Sequence, residues 1–456
     1  MSCFTCCTGE IDYNLDDLNQ TTQILPKKYI GLSHTKNNTT NLTTSRNKTS
    51  NNTNNLFPIE NFLLSFGDIS YPSTVDLNSL ISKDKTLINV KSLCFGDSHS
   101  LMLLTIPPSN KTFLFGYGSN QNGQLGLEFK SNEQNTYETW THIPLESEEK
   151  TGLFFFQKND FEISDIAVGD GFSIVTVQYN RDKSYGLYRF QLTRQDRFEV
   201  YQDKETSSKK KKTIYKEPFD QSNNGGIKKV SVFNDRILIL THDNSLYVKG
   251  LLFNLNLMNN YTLYKKFDFE ILDIYQGINH CLLLGEHNLL YGMGNNEYGE
   301  LGILDEHLEE GEICLNDFFS ENDLNIVKIV NGARHSLVLC DNGNIYCFGD
   351  NSDGQCCGLE KVVLEPTLVK FFDDDDEEEN VFVVDICCGF NHSICKDSYG
   401  KVYFWGDSAW GKLGIKETKV DQCIPLEMSD MKIRNVVKMF AGPMQSAIFV
   451  SGGIMI

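Results

Sequence analysis

The chain has 456 residues, more than one ordinary domain holds unless it is a barrel or a repeat array, and 61 acidic against 41 basic side chains leave a net charge of −20. So acidic a surface is repelled by phosphate backbones and anionic membranes, and direct nucleic-acid binding is not expected. No apolar run reaches the roughly eighteen residues that span a bilayer.

The N-terminus, MSCFTCCTGEIDYNLDD, is polar and acidic behind its cysteines and does not read as a signal peptide. Without such a signal, the 14 cysteines of the chain read as thiols in a reducing compartment, so a cytoplasmic location is expected, with the nucleus as the alternative. Cys3, Cys6 and Cys7 form one Cys-x-x-Cys without the second pair that a zinc site needs. Acylation of these thiols, which would attach the chain to a membrane, stands beside an inert tail. Residues 19–55 are dominated by Asn, Thr and Ser, and cannot bury enough apolar surface to offset their ordering entropy. Residues 1–58 are therefore expected to be a disordered tail and 59–456 the folded domain.

From residue 62 onward one pattern recurs. An apolar pair leads to Gly-x-x-His-Ser and then an apolar strand, in LCFGDSHSLML, IAVGDGFSIVTV, IYQGINHCLLL, IVNGARHSLVL and ICCGFNHSICK. VSVFNDRILIL and MFAGPMQSAIFV are degenerate copies in the same frame. The glycine column therefore falls at 96, 169, 233 (where Phe stands), 277, 332, 389 and 442. A second half-repeat follows in FLFGYGSNQNGQLGL, LLYGMGNNEYGELGI, IYCFGDNSDGQCCGL and KVYFWGDSAWGKLGI, with YGLYRFQLTR and SLYVKGLLFN as copies lacking the glycine turn. FLLSFGDIS, at 62–70, matches its strand only. Short β-branched and aromatic runs bounded by Gly, Asn and Asp are strands.

Units of about 56 residues suit a propeller rather than a helical repeat. The order of the halves differs at the two ends: the first second-half copy precedes the first Gly-x-x-His-Ser, and the last Gly-x-x-His-Ser has no partner after it. The strand Phe62 to Gly67 is thus expected to pair with Ala447 to Val450 in one shared blade. The fold predicted is all-β, a seven-bladed propeller closed by its N- and C-terminal strands. An open β-solenoid is the alternative, and it would not need complementary half-repeats at its ends.

Gly-x-x-His-Ser paired with aromatic-Gly-x-Asn-x-x-Gly-Gln-Leu-Gly resembles the regulator of chromosome condensation repeat family over about residues 62–450. Residues 118–126 match closely, and 294–302 and 406–414 match with small substitutions. Residues 349–358 carry one extra residue, Cys356 or Cys357. The resemblance implies a seven-bladed propeller whose relatives include exchange factors for small GTPases, scaffolds, light sensors and recognition modules. In the exchange factor for Ran, acids in the second and third repeats and histidines in the fifth and seventh build the catalytic face. Here those places map to Asp170, Asp235, Arg334 and Met444 or Gln445, and the Arg-Asp-x-Asn-Gly wedge has no counterpart, so Ran is not the expected GTPase.

No nucleophile-base constellation, phosphate loop or metal-ligand spacing is seen, so neither a cofactor nor a metal is expected and no conventional enzyme is read. His99, His280, His335 and His392 share a column and are read as structural imidazoles bonding backbone. Cys387 shares its column with Cys94 and Ala167 and is read as core filler. The acidic run from Asp373 to Glu379 reads as a solvated loop, with docking of a basic partner as the alternative, and Lys209 to Lys212, in the excursion at 178–227, is treated likewise. The expected function is that of a protein-binding scaffold or regulatory module, a monomer with a protein partner; the alternative is guanine-nucleotide exchange on a small GTPase. Its working rim is expected to carry Asp97, Asp170 and Asp235 on one arc and Asn279, Arg334 and Asn391 on the other.

Overall fold

The computed structural model describes residues 61–451 except 68, 82–87, 108–110, 128–134, 146–160, 183, 192–213, 220–224, 252–256, 305–311, 372–380, 415–420 and 429–434. The expected tail with Cys3, Cys6 and Cys7, the run Asp373 to Glu379 and Lys209 to Lys212 lie outside the described residues. No helix among those described is long and apolar enough to cross a membrane.

Seven antiparallel four-stranded sheets make the seven blades. Blade one runs through Asn89–Phe95, His99–Ile106, Lys111–Ser119 and Thr136–His142, and blades two to six repeat that meander. Blade seven takes Val436–Ala441 and Gln445–Ser451 from the C-terminal end, and Asn61–Gly67 and Ile69–Asp76 from the N-terminal end. Phe62 pairs with Val450, Leu64 with Ile448 and Gly67 with Gln445, so the ring closes as expected. The excursion at 178–227 holds the third strand of blade two, Tyr185–Phe190, and its outer strand, Ile214–Lys216.

The core is divided among the seams between blades. Second strands are apolar on both faces because each blade packs on two neighbours: Arg236–Thr241 and His335–Cys340 are buried at every position. Third-strand aromatics fill the seams, with Phe190, Phe348, Trp405 and Phe66 all nearly inaccessible. Each such side chain stabilises the ring by roughly 1.5–3 kcal/mol. Cys94, Ala167 and Cys387 are core residues, as read from their column.

The glycine and histidine columns form one device. The Gly277, Gly332 and Gly389 N–H groups each donate to the carbonyl of the histidine three residues on. The imidazole then folds back over its glycine: a Cβ built on Gly332 would lie 2.0 Å from His335 Cε1, and one on Gly389 1.8 Å from His392 Cε1. The expectation that these imidazoles bond backbone holds at His99, which bonds the Phe172 backbone, but their shared partner is a side chain. Each reaches the serine of the next blade: His99 to Ser173 at 2.9 Å, His280 to Ser336 at 3.2 Å, His335 to Ser393 at 3.1 Å and His392 to Ser446 at 2.8 Å. Ser173, Ser336 and Ser393 in turn donate to the carbonyls of Gln124, Glu300 and Gln355. Their hydroxyl protons are thereby committed, so each serine oxygen accepts from a neutral imidazole protonated on Nε2. Burial agrees, pushing His99 and His280 down to about 3 and His335 to about 4.

The second glycine-rich motif is a loop laid over the seam to the next blade. Its asparagine closes it on itself: Asn120, Asn296 and Asn351 accept through Oδ1 from the N–H five residues on. Its last glycine lies on the next blade's aromatic ring, Gly126 on Phe190 and Gly302 on Phe348. Blade five has no extra residue within this loop. Cys356 takes the place of Leu125, and Cys357, at φ 66°, takes the left-handed place of Gly126, whose φ is also 66°.

Candidate interaction face

The turns between first and second strands all lie at one end of the blades and ring one mouth of the central channel. Successive turns are tied by backbone bonds: Asp170 N–H to Asn234 O (3.1 Å), Ile278 N–H to Ala333 O (2.8 Å) and Ala333 N–H to Phe390 O (2.8 Å). All six expected rim residues are on this face, in two different places. Asp97 and Asp170 occupy the first position after the glycine column. In blades four to six that position holds Ile278, Ala333 and Phe390, which pack together with Phe233 of blade three. Asp97 and Asp170 are exposed, so one side of the mouth is acidic and the other apolar.

Asp235, Asn279, Arg334 and Asn391 occupy the second position. Three of these residues accept through their carbonyls from the third-strand exit, with Asn295, Asp350 and Asp407 as donors at 2.6, 2.8 and 2.8 Å. The side chains of Arg334 and Asn391 lean toward the loop of the preceding blade. The Arg334 guanidinium lies 4.9 Å from the Tyr298 ring centroid, and Asn391 Nδ2 donates to Asp353 Oδ2 at 2.7 Å. Asp235 is exposed and acts on Arg189, which stacks 3.7 Å from the Phe172 ring centroid and sits 3.6 Å from Glu217.

The contrast of acidic and basic arcs does not hold around Asn391. Burial holds Asp353 above the usual carboxylate range, and Asp407, Asp421 and Asp350 add to the effect. The arc expected to be polar and basic thus carries its own acids.

Two further residues shape this face. Glu300 replaces the glutamine found at Gln124 and Gln355. Its Oε2 accepts from the Tyr298 N–H at 2.8 Å, and burial raises its pKa to about 7 although Arg334 opposes the shift. The signal was the reading Gly-Glu-Leu-Gly where blade one has Gly-Gln-Leu-Gly. Arg236 stands in the histidine column and reaches blade four, donating to Gln276 Oε1 at 2.6 Å and to the carbonyls of Gly277 and Ile278 at 2.9 and 3.0 Å.

Seven closely packed four-stranded blades around one solvated mouth define a seven-bladed β-propeller. The regulator of chromosome condensation (RCC1) repeat matches residues 326–355 in one form and 342–395 and 399–449 in another, and the chain belongs to the RCC1-repeat family. It is 30% identical over 203 residues to the protein RCC2 homolog of Xenopus laevis, covering 39% of this chain and 38% of that protein. With the ultraviolet-B receptor UVR8 of Arabidopsis thaliana it shares 32% identity over 154 residues, 33% of this chain and 32% of the receptor. The matched segment thus spans only about a third of these relatives' length. Prp20p from Saccharomyces cerevisiae, studied for its binding to Gsp1p and histones, superposes with a TM-score of 0.61 at 18% identity, over 88% of this chain and 92% of that one.

Proposed function

We propose that the chain is a protein-binding regulatory module and that the channel mouth bearing Asp97, Asp170, Asp235, Asn279, Arg334 and Asn391 is its working face. The observation that carries this reading is the ring of turns, tied by backbone bonds between blades two and three, four and five, and five and six, and exposed at Asp97, Asp170, Asp235 and Arg334. Charged side chains on such a face set specificity and association rate more than raw affinity. The module works as a monomer in the cytoplasm, where Cys281, Cys340, Cys347, Cys356 and Cys395 remain thiols.

Nucleotide exchange on a small GTPase is the finer alternative. It needs no nucleophile, only a face that binds the nucleotide-free GTPase better than the loaded one. The Asp170→Ala/Asp235→Ala double variant tests both readings. Proteins captured by the full chain, with and without a magnesium chelator, are identified by mass spectrometry and recaptured by the variant. Loss of capture with an unchanged melting temperature supports the face. Chelator-dependent recovery of a GTPase, with faster release of labelled GDP, selects exchange. Undiminished capture by the double variant removes the face from the function.

A further inference from the structure

The seam between blades seven and one lacks the loop that covers the described seams with intact motifs. In blades one, four, five and six the third strand ends in a glycine and continues into the Gly-x-x-Gly loop over the next blade. In blade seven, Gly67 pairs directly with Ile69, with only Asp68 between them. The place left is a cleft of about 660 Å³ lined by Ser65, Gly67, Ser100, Tyr117, Trp140 and Gln445, among others.

These residues are counterparts of those that hold the loop elsewhere. Ser100 pairs with Tyr117 across the second and third strands, as Ser173 pairs with Phe190 and Ser336 with Phe348. In blades two and five that serine donates to a loop carbonyl of the preceding blade, and that aromatic ring carries the loop's final glycine. Ser100 and Tyr117 line the cleft, and Trp140 lies against Tyr117 with ring centroids 5.6 Å apart. The ionisable groups of the lining are Asp76, Asp97 and Glu138, all exposed, and His99, kept neutral by burial.

We propose that this cleft is a second docking site, taking a glycine-containing turn with a basic side chain from a partner protein. The turn would do what Gly123 to Gly126 do in blade one: lay a glycine on Tyr117 and present a carbonyl to Ser100. Its basic residue belongs at the loop position of Asn122, which in blade one lies against Gly171, the counterpart of Ser98 beside Asp97. An acidic lip favours that charge, and the attraction weakens with salt. Apart from Asp97 on its lip, the site is independent of the working face proposed above.

The probe is the fluorescein-labelled peptide Gly-Ser-Asn-Gln-Lys-Gly-Gln-Leu-Gly, read by fluorescence anisotropy against the full chain. Binding is expected at low salt, at least fivefold tighter than for the same peptide with Glu in place of Lys. Glu138→Lys, on an exposed strand position, should weaken it at least threefold. Replacing Asp68 with the blade-one loop should abolish it, and Asp170→Ala/Asp235→Ala should leave it unchanged, which separates failure here from failure of the working face. If the graft does not fold, the Glu138→Lys and Glu-peptide comparisons decide. The proposal is overturned by absence of binding or by indifference to both charge changes. It is equally overturned if binding appears only after residues 1–58 are removed, or if the full chain is a dimer that the graft makes monomeric, since the occupant is then the chain itself.

Discussion

In blades four, five and six, Gly277, Gly332 and Gly389 stand three residues before His280, His335 and His392; in blade three the same two places hold Phe233 and Arg236. The regular blades remove a Cβ so that an imidazole can fold under the turn and reach the next blade's serine in blades five to seven. Blade three keeps a large ring, buried beside Ala333 at the axis, and spans its seam with a longer side chain. The guanidinium bonds Gln276 and two backbone carbonyls of blade four, and burial lowers its pKa to about 10. In blade three the two columns therefore change together. Blades one and three to six carry a polar side chain across the seam, whereas in blade two the glycine clears the Phe172 ring and in blade seven Gly442 lies against Phe95.

The largest effect should come from removing the strand that makes the ring a ring. A chain beginning at residue 68 loses Leu63, Leu64 and Phe66, all buried, and leaves Gln445–Ser451 without its partner along one edge. At roughly 1.5–3 kcal/mol for each side chain the loss rivals the whole stability of a typical domain. Light scattering and calorimetry should show an aggregating chain without a cooperative transition, while a chain beginning at residue 59 melts cooperatively. A folded monomer from the shorter chain would mean that the shared blade does not hold the ring.

Acid should separate the imidazole seams from the guanidinium seam. The folded pKa values of His99, His280 and His335 lie near 3 to 4, against about 6.5 when unfolded, with His392 also well below, so between those values the unfolded chain binds more protons. Their contribution is complete above pH 6.5 and is lost as pH falls toward 4, by about 2 kcal/mol for each imidazole at pH 5. Arg236 stays charged throughout and adds nothing to this slope. Urea midpoints should therefore drop steeply from pH 7 to pH 5, and less steeply in His335→Gln. An equal slope in that variant would show that the imidazoles do not govern the acid limb.

Breaking the glycine–histidine pair in one blade is the next test. Gly332→Ala places a methyl where His335 sits and should lose about 3 kcal/mol, as overpacked sites do. His335→Ala removes the obstacle, so the double variant should be less destabilised than the sum of the singles by at least about 1 kcal/mol. Strict additivity would mean that the close approach is relieved elsewhere.

Glu300 gives a smaller effect of opposite sign. Its folded pKa of about 7 lies above the ordinary glutamate value of 4.5, so its contribution is present below pH 4.5 and is lost as pH rises through 7. Glu300→Gln, which restores the residue of blades one and five, should raise stability by about 2 kcal/mol at pH 8 and leave it unchanged at pH 4.5. A gain that persisted at pH 4.5 would locate its cause outside the titration.

Most of this architecture was legible in the letters because collisions police it. A Cβ at 332 or 389 meets an imidazole, and one at 126 or 302 meets an aromatic ring, so those glycines stand out in phase. Ring closure was readable from half-repeats left over at opposite ends. The partners of each column were not readable, because His335 and Ser393 are 58 residues apart and only the packing of neighbouring blades brings them within 3.1 Å. The division of the rim was hidden too: Asp170 and Asp235 look alike in a column, but a one-residue offset in the turn places one in the axial position and the other beside the third strand. The open seam was written only as brevity, a lone Asp68 where blades one, four, five and six carry the glycine loop.

Cys357 offers the finest comparison, between blade five and the glycine loops of blades one, four and six. It holds φ 66° where Gly126, Gly302 and Gly414 hold 66°, 63° and 67°, and its N–H donates to Gly354 O as theirs do to Gly123, Gly299 and Gly411. A left-handed conformation is unfavourable for a side-chain-bearing residue by roughly 1–2 kcal/mol, which glycine avoids. Against this, the thiol packs at the edge of the cluster containing Trp405 and Cys356, and a half-buried small side chain offsets part of that penalty. Glycine also has more freedom to lose on folding, which narrows the gain further. Cys357→Gly should therefore stabilise the chain, by less than about 1 kcal/mol, seen as a small rise in urea midpoint with an unchanged slope. A fall in the midpoint would show that packing against blade six, rather than backbone strain, decides this position, and that blade five has tuned its loop to the wide Trp405 ring where blades two, five and seven present a phenylalanine.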